Sequence, residues 1–242
     1  MGKGDLRIDW ATYEAAKYAC EHWHYSGCLP VGKLVKVGVW EHGVFVGVVL
    51  FGRGAAPNLG KQWGCSQTES CELVRVALKT HDAPVSRIVA IALKLLKMAS
   101  PGIRLVISFA DTMQGHVGGI YQAGGWLYSG TAESQQGKFF TVFGKRRHGK
   151  SLHSLYGVGG QRLEWLRANV DPTAQYAEWM DKHRYLMPLD AEMKAQLASA
   201  SKPYPKRVKQ AMTGSQPEQR QGGADPYAPT IIAGQSHVTQ AA

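Results

Sequence analysis

Polar side chains gather where one apolar run of the sequence ends. The run RLVISFAD contains Ser108 and closes on Asp111, and Tyr121 follows in GHVGGIYQAGGW, residues 115–126. Sites of α/β folds lie at the carboxyl ends of central strands. A hydroxyl, a carboxylate and a phenol at such a place can donate, accept and transfer protons, so these three are the candidate catalytic residues. Asp111 as a simple helix cap is the alternative. The glycines indicate either a tight corner or a close approach of backbone to a ligand.

Two histidines and a tyrosine follow the first amphipathic segment, in HWHYSG. His22 and His24 can present two ring nitrogens to a metal ion only if the backbone between them is extended. Tyr25 comes next and is a fourth candidate catalytic residue. The alternative is that histidines near the end of a helix complement its dipole.

Two charged residues interrupt the apolar run CELVRVAL. Glu72 and Arg75 fall on opposite faces of a strand, because successive side chains alternate. One of them therefore points towards the covered side, which favours a role in a site, and the spacing does not indicate which.

The segment THDAPVSRIVAIALKLL predicts a loop that leads into a long helix. Ser86 and Arg87 lie at its start, where free backbone N–H groups and the helix dipole can hold a phosphate or pyrophosphate. An ordinary N-cap by Ser86 is the alternative. The glycines of a Walker or Rossmann loop are absent from this segment.

The elements that must position these residues alternate along the chain. We expect a helix over residues 10–23, two strands (KLVKVGVWEH and VFVGVVLFGRG) that turn at His42-Gly43, and a third strand at CELVRVAL. The helix RIVAIALKLLKMA, the strand GIRLVISFAD, a short helix, and the strands GWLYSGTAE and KFFTVFGK complete the order. This order predicts an α/β fold, a mixed sheet with helices on its faces.

Charge and composition divide the chain further. The 28 Lys+Arg against 18 Asp+Glu give a net charge of +10, which favours a polyanionic partner, although basicity for solubility alone is the alternative. We predict a catalytic domain over 1–144, a basic aromatic extension over 145–210 that packs on it and contacts nucleic acid, and a disordered tail over 211–242. The side chains expected to contact phosphates are Lys145, Arg146, Arg147, Lys150, Lys206 and Arg207.

The four cysteines are expected to be reduced thiols, because they show neither CxxC spacing nor the density of a disulfide scaffold. An N-terminal hydrophobic signal and an apolar run of about 18 residues are both absent from the sequence. We therefore expect a soluble protein that is not exported and does not enter a membrane.

Several of these blocks resemble known proteins. The order of elements around ELVRVAL, LVISFAD and IYQAGGW is similar to that of the GNAT acyltransferase superfamily. Within it, the segment from HWHYSG to LFGRGA, CELVRVAL, SFADTMQGHVGGIYQAGGW, and KHRYLMPLD with KPYPK resemble the Mom family of Mu-like bacteriophages, over about residues 5–207. The resemblance implies a GNAT-like, mostly antiparallel central sheet flanked by helices, with a C-terminal extension.

The resemblance also implies an activity. Mom enzymes add a carbamoylmethyl group to the exocyclic 6-amino group of adenine in double-stranded DNA, which protects phage DNA from host restriction in the host cytoplasm. The resemblance places Ser86 in a coenzyme-cradling loop, with Arg87 beside it. It also places Arg75 at a further family site, and Asp111 and Tyr121 at functional positions. Acetyl-coenzyme A or another small molecule is the implied donor, with iron as an implied metal. PVSRIVAIA lacks the glycines of the usual GNAT loop, which argues against conventional acyl-coenzyme A binding.

The implied chemistry adds two requirements. Carbamoylmethylation joins the amine to a methylene carbon, so a metal, a radical or a pre-activated donor is needed, and this makes His22, His24 and Glu72 candidate iron ligands. The adenine must also leave the base stack. Tyr25, Trp63 or Trp126 would stack on it, with core packing as the alternative for each.

Two other functions remain open. One is a conventional GNAT N-acetyltransferase acting on a protein or a small amine. The other is a non-catalytic DNA-binding protein on a GNAT-like scaffold. A homodimer is a further assembly that the sequence leaves open.

Overall fold

The computed structural model describes residues 5–54, 58–132, 139–177 and 181–206. The chain divides into two compact units. Of the described residues, the first unit comprises 5–53, 73–101 and Lys206, and the second comprises the described parts of Gly54–Glu72 and Gly102–Pro205. Within the described ranges, none of the helices has the length and apolar character needed to cross a bilayer. The predicted disordered tail over 211–242 lies outside the described residues.

The chain forms ten strands and six α-helices within the described residues. The strands are β1 (Leu6–Trp10), β2 (Leu34–Glu41), β3 (Val44–Gly52), β4 (Ser70–Leu78), β5 (Leu105–Ala110), β6 (Leu127–Ala132), β7 (Phe139–Val142), β8 (Lys145–His148), β9 (Gln175–Tyr176) and β10 (Lys182–Pro188). The α-helices are α1 (Tyr13–Trp23), α2 (Val85–Ala99), α3 (Gly119–Ala123), α4 (Gly149–Tyr156), α5 (Leu163–Asn169) and α6 (Ala191–Gln196).

Helix α1 begins later than the sequence predicts. Thr12 is its N-cap, and the Thr12 hydroxyl accepts the N–H of Ala15 at 3.2 Å. Trp10 was expected in this helix and instead ends β1, where it pairs with Val37 of β2. The expectation of a helix from residue 10 is therefore wrong at its start, because a strand pairing with a distant partner leaves little trace in local periodicity.

Strands β2 and β3 form the antiparallel hairpin that the sequence predicts. Its turn is at His42 and Gly43, which have φ of 51° and 75°. Residues 46–51 of β3 are all buried, so both faces of this strand are covered. The long helix α2 buries one apolar stripe, made of Ile88, Val89, Ala92, Leu93 and Leu96.

The second unit places a strand where the sequence predicts an extension. Residues 70–72 of β4 pair in parallel with β5, β5 pairs antiparallel with β10, and β10 pairs antiparallel with β6. Strand β10, from the segment KHRYLMPLD, therefore lies between β5 and β6 and is not a peripheral extension. The predicted α/β class is confirmed: the sheet is mixed, mostly antiparallel, and flanked by helices.

A three-stranded sheet in the order β8-β7-β9 completes the second unit. Phe140, Val142, Leu152, Leu166 and Ala174 form its core with α4 and α5. The basic run KRRH is strand β8, paired with β7. This hairpin crosses the domain boundary that the sequence predicts at residue 145, and neither compact unit coincides with the three predicted segments.

Candidate active site

Ser108 and Tyr121 meet at the end of β5. The Ser108 hydroxyl donates to Tyr121 Oη at 2.8 Å, and both side chains are buried. The residues reach each other because the short helix α3 begins soon after the strand ends. Two of the predicted catalytic residues are thus in direct contact.

The glycines between β5 and α3 accommodate an aromatic ring. Gly118 has φ of 78°, and a Cβ built on it would overlap the ring of Tyr185. The Tyr185 hydroxyl donates to the Val117 carbonyl and accepts from Gln122 Nε2 at 3.1 Å. Burial raises the pKa of Tyr185, so its phenol stays protonated at neutral pH. The glycine-rich stretch is therefore a tight corner closed on a tyrosine of β10.

The Tyr121 ring lies in an aromatic cluster. Its centroid is 5.1 Å from that of Trp126 and 5.0 Å from that of Tyr185. The segment KPYPK closes this cluster from one side, since the Tyr204 hydroxyl donates to the Trp126 carbonyl at 2.7 Å. Such packing fixes the position of the phenol that Ser108 contacts.

Asp111 follows β5 and is buried. Its carboxylate oxygen Oδ2 lies 3.3 Å from Lys182 Nζ, so the two form an ion pair. The main-chain carbonyl of Asp111 accepts the N–H groups of Gln114 and His116. The turn that follows is thus held by backbone, and the carboxylate is oriented by a lysine of β10.

Strand β10 also contributes His183. Its Nδ1 lies 3.0 Å from Tyr128 Oη, and burial lowers the pKa of His183 and raises that of Tyr128. A neutral imidazole and a protonated phenol therefore share this hydrogen bond at neutral pH. The hydrogen bond orients both side chains, and it was missed because the segment KHRYL is locally typical of a basic surface segment.

Arg184 lies at an irregularity in the pairing of β10 with β6. Its Nε donates to the Ser129 hydroxyl at 2.8 Å, and its guanidinium lies 4.9 Å from the centre of the Trp63 ring. Burial lowers the pKa of Arg184 from its ordinary value. Trp63 and Trp126 are both buried, so core packing explains them and base stacking by either ring is not supported.

In the first unit, Arg75 has an unsatisfied polar atom. Its Nη1 donates to the Val74 carbonyl at 2.8 Å. Its buried Nε finds no hydrogen-bond acceptor anywhere in the described ranges of the chain. A buried guanidinium N–H without a protein acceptor is the donor that an anionic ligand group would satisfy.

The loop before α2 already holds a carboxylate. Glu41 accepts the N–H groups of Asp82 and Ala83, each at 2.7 Å. Burial raises the pKa of Glu41, but these two hydrogen bonds outweigh burial and bring that pKa below its ordinary value. Its negative charge opposes a pyrophosphate in this loop, so the loop does not fit the coenzyme cradle predicted around Ser86 and Arg87.

The alternative prediction for Ser86, that it is the N-cap of α2, is wrong. Pro84 is the N-cap of α2, without a side-chain capping hydrogen bond, and Ser86 lies inside the first turn. Ser86 therefore does not cap the helix, and any contact it makes with a ligand stays a prediction.

The predicted iron ligands do not form a metal site. His22 Nδ1 lies 2.9 Å from the Tyr18 carbonyl, and His24 Nδ1 accepts the N–H of Ser26 at 3.1 Å. The backbone at His24 is extended, as the metal hypothesis required. Over the described ranges, however, no three His, Cys, Asp or Glu side chains lie together so as to hold a metal ion, and this includes the set with Glu72. The residues present therefore do not fit the implied iron.

The other predicted site residues that the structure describes, Tyr25 and the cations expected to contact phosphates, are exposed. Tyr25 is half exposed, and its ring centroid lies 4.2 Å from that of His24. Arg207 lies outside the described residues. The predicted phosphate-contacting residues found on the surface are Lys145, Arg146, Arg147, Lys150 and Lys206.

Comparison with known proteins places the chain in a family. The model of the Mom protein family matches residues 5–206. The chain belongs to the Mom protein family. One member, the methylcarbamoylase mom of Escherichia phage Mu, is 28% identical to this Mom-family chain over 214 residues, which are 85% of this chain and 86% of that protein.

A solved structure is also similar. It is of a protein of Acinetobacter baylyi ADP1 assigned as an acetyltransferase. The match has a TM-score of 0.42 at 15% identity and covers 78% of the Mom-family chain and 95% of the other.

Proposed function

We propose that this protein is a phage DNA-modifying transferase that adds a carbamoylmethyl group to the 6-amino group of adenine. The observation that carries the proposal is the family match over residues 5–206, together with the relative named as a methylcarbamoylase. The hydroxyl, phenol and carboxylate at the end of β5 support it, because groups of these types can donate, accept and transfer protons.

Double-stranded DNA is the proposed substrate. The net charge of +10 and the exposed cationic strand β8 supply the sequence-independent attraction that phosphates need. The amino group of a paired adenine is engaged in base pairing. The target base must therefore leave the stack before its nitrogen can react.

The transfer forms one bond and breaks another. Adenine N6 bonds to the methylene carbon of a carbamoylmethyl donor, and the bond from that carbon to its leaving group breaks with the electron pair on the leaving group. One N6 proton is lost, and we assign it to the Asp111 carboxylate, which Lys182 orients. The Ser108–Tyr121 pair supplies the neutral hydroxyls that position the base or the donor.

The donor is a molecule with a leaving group on its methylene carbon. Acetyl-coenzyme A bound through a pyrophosphate cradle does not fit the loop that Glu41 occupies. Any contact of Arg75 with the donor stays a prediction. No step is assigned to iron, because the described residues do not form its site.

Mass spectrometry of nucleosides tests the proposal. The protein is co-expressed with plasmid DNA, the DNA is digested, and deoxyadenosine with the added carbamoylmethyl mass is measured. Asp111→Asn and Tyr121→Phe are expected to lose the product while remaining folded. Glu164→Gln and Tyr176→Phe are the matched controls, because both residues are exposed in the same unit, and each should leave the product unchanged.

The outcomes separate the competing functions. Unmodified adenine in DNA that the purified protein still binds would favour the non-catalytic DNA-binding protein. Unmodified adenine without DNA binding would favour a conventional N-acetyltransferase. Protection of phage DNA from restriction, action in the host cytoplasm and a homodimer stay predictions.

A further inference from the structure

The hairpin formed by β7 and β8 carries a phenylalanine in its turn. The strands pair from Phe139↔His148 to Val142↔Lys145, which leaves Phe143 and Gly144 as the two-residue loop. Their φ angles are 49° and 68°, and two positive φ values define the type I′ hairpin turn. The first position of this turn favours asparagine, aspartate or glycine, because a bulky side chain is strained at positive φ.

The strained backbone is held in place by Asp171. Its Oδ2 accepts the Phe143 N–H at 2.6 Å, and its Oδ1 accepts the N–H and the hydroxyl of Thr173. Asp171 is itself buried, with 4% of its surface exposed. The fold therefore stabilises an unfavourable residue in the turn, and such strain tends to persist where function requires it.

The side chain in that turn points away from the core. Phe143 is 64% exposed, whereas Phe140 and Val142 of the same strand are buried. A single exposed apolar residue is ordinary by itself. An exposed apolar residue of positive φ is unusual. Within the described ranges, the other non-glycine residue of positive φ is His42, and histidine tolerates a positive φ better than phenylalanine does.

Cationic residues follow Phe143 in the sequence. Lys145, Arg146 and Arg147 follow it directly in β8, and all three are exposed. The Arg146 guanidinium also lies over the Phe139 ring, 4.1 Å from its centre. Beyond the residues of β7 that pair with β9, the end of this hairpin can enter a DNA groove, with cations that contact phosphates and an apolar tip that contacts bases.

We propose that Phe143 is a wedge that enters the base stack of duplex DNA. The inference rests on the proposed action on DNA and names how the duplex is opened. Apolar side chains inserted between base steps unstack them, and a base extruded for chemistry leaves a gap that a planar ring can fill. Lys145, Arg146 and Arg147 hold the flanking phosphates while the ring inserts. A docking site for another protein would not need a cationic ribbon, so DNA is the favoured occupant.

The test compares two duplexes that differ in the cost of opening. One is intact, and the other carries a single abasic site, where the gap already exists. Purified wild-type protein should bind the abasic duplex about tenfold more tightly than the intact one, because the unstacking cost is removed. Phe143→Asn should bring the two dissociation constants together, and Phe143→Trp should keep them apart.

Asparagine makes the test independent of folding. It is a preferred residue for the first position of a type I′ turn, so Phe143→Asn should keep or raise the melting temperature. A loss of the abasic preference in a variant that is at least as stable cannot come from unfolding. Val158→Ala is the matched control, because Val158 is 72% exposed in the same unit, and it should bind both duplexes as the wild type does.

Each other outcome overturns the wedge. Equal binding of the two duplexes by the wild type, or a preference that survives Phe143→Asn, would show that the ring does not enter the stack. An equal weakening on both duplexes would reduce Phe143 to a general contact. If the wild type modifies adenine in cells yet shows one of these results, the wedge alone fails. If it neither binds DNA nor modifies it, the proposed function fails as well.

Discussion

Two neighbouring glycines, Gly118 and Gly119, should respond to alanine in opposite directions. Gly118 has φ of 78°, and a Cβ there would overlap the ring of Tyr185. Gly119 is the first residue of α3, and its Cβ would meet no heavy atom within 4 Å. The pair therefore separates the cost of the corner from the general effect of adding a methyl group to this loop.

The magnitude follows from two terms. An alanine at left-handed φ costs roughly 1–2 kcal/mol, and overpacking against a fixed ring costs about 1–3 kcal/mol. Gly118→Ala should therefore lower the free energy of unfolding by roughly 2–5 kcal/mol. Gly119→Ala should raise it by up to about 1 kcal/mol, because alanine loses less backbone entropy in a helix than glycine does.

Thermal unfolding measures the difference. At roughly 2–4 °C per kcal/mol for a chain of this size, Gly118→Ala should melt about 4–20 °C below the wild type, whereas Gly119→Ala melts at or above it. The double variant Gly118→Ala/Tyr185→Leu is compared with Tyr185→Leu alone. In that background Gly118→Ala should lower the melting temperature by less than it does in the wild type, because the ring that clashes with the new Cβ is gone. Equal melting temperatures for the two single variants would refute the close approach of this corner to Tyr185.

Three further predictions concern charge and reactivity. The hydrogen bond from the Thr173 hydroxyl, and after it that from the Phe143 N–H, holds the pKa of Asp171 below its ordinary value. The charged carboxylate therefore stabilises the fold fully above the unfolded pKa of about 3.9, and this stabilisation is lost as the pH falls through the folded pKa. Asp171→Asn should flatten the loss of stability in acid, measured by denaturation at a series of pH values, and unchanged acid sensitivity would contradict the assignment. Burial raises the pKa of the Cys71 thiol to about 12, so native protein treated with iodoacetamide should be labelled at exposed Cys28 and not at Cys71, as peptide mass spectrometry would show. Equal labelling would indicate that the core around Cys71 is open. Serine substitutions in the basic strand should each reduce the slope of log binding constant against log salt by about 0.9, without a change in melting temperature, and an unchanged slope would remove the residues from the DNA contact. The residues to change are Lys145 and Arg147, because the Arg146 guanidinium also packs on the Phe139 ring.

The long periodic segments could be read from the sequence. The stripe of α2 and the hairpin at His42-Gly43 depend on residues close in the chain, and both are confirmed. The polar end of β5 was also recognised, and the contact between Ser108 and Tyr121 joins residues thirteen positions apart. Local pattern sufficed for these features because each element and its neighbour lie within one stretch of chain.

The errors concern strands whose partners are distant in sequence. Trp10 belongs to β1 because it pairs with Val37, and the basic segment of β10 is a central strand because β5 and β6 flank it. Lys182, His183 and Arg184 are consecutive, and such a basic run indicates surface when the neighbouring strands are unknown. The residues of β10 that complete the site, Lys182, His183 and Tyr185, were therefore missed.

The sequence by itself determined the chemistry available to this protein: its basic charge, its reduced thiols, and the hydroxyl, phenol and carboxylate around the end of β5. The tertiary structure alone decided which groups meet. Lys182 reaches Asp111, and Glu41 reaches the N–H groups of Asp82 and Ala83, 41 and 42 positions away. Such contacts depend on strand pairing and burial, which bring together residues that local propensity cannot connect.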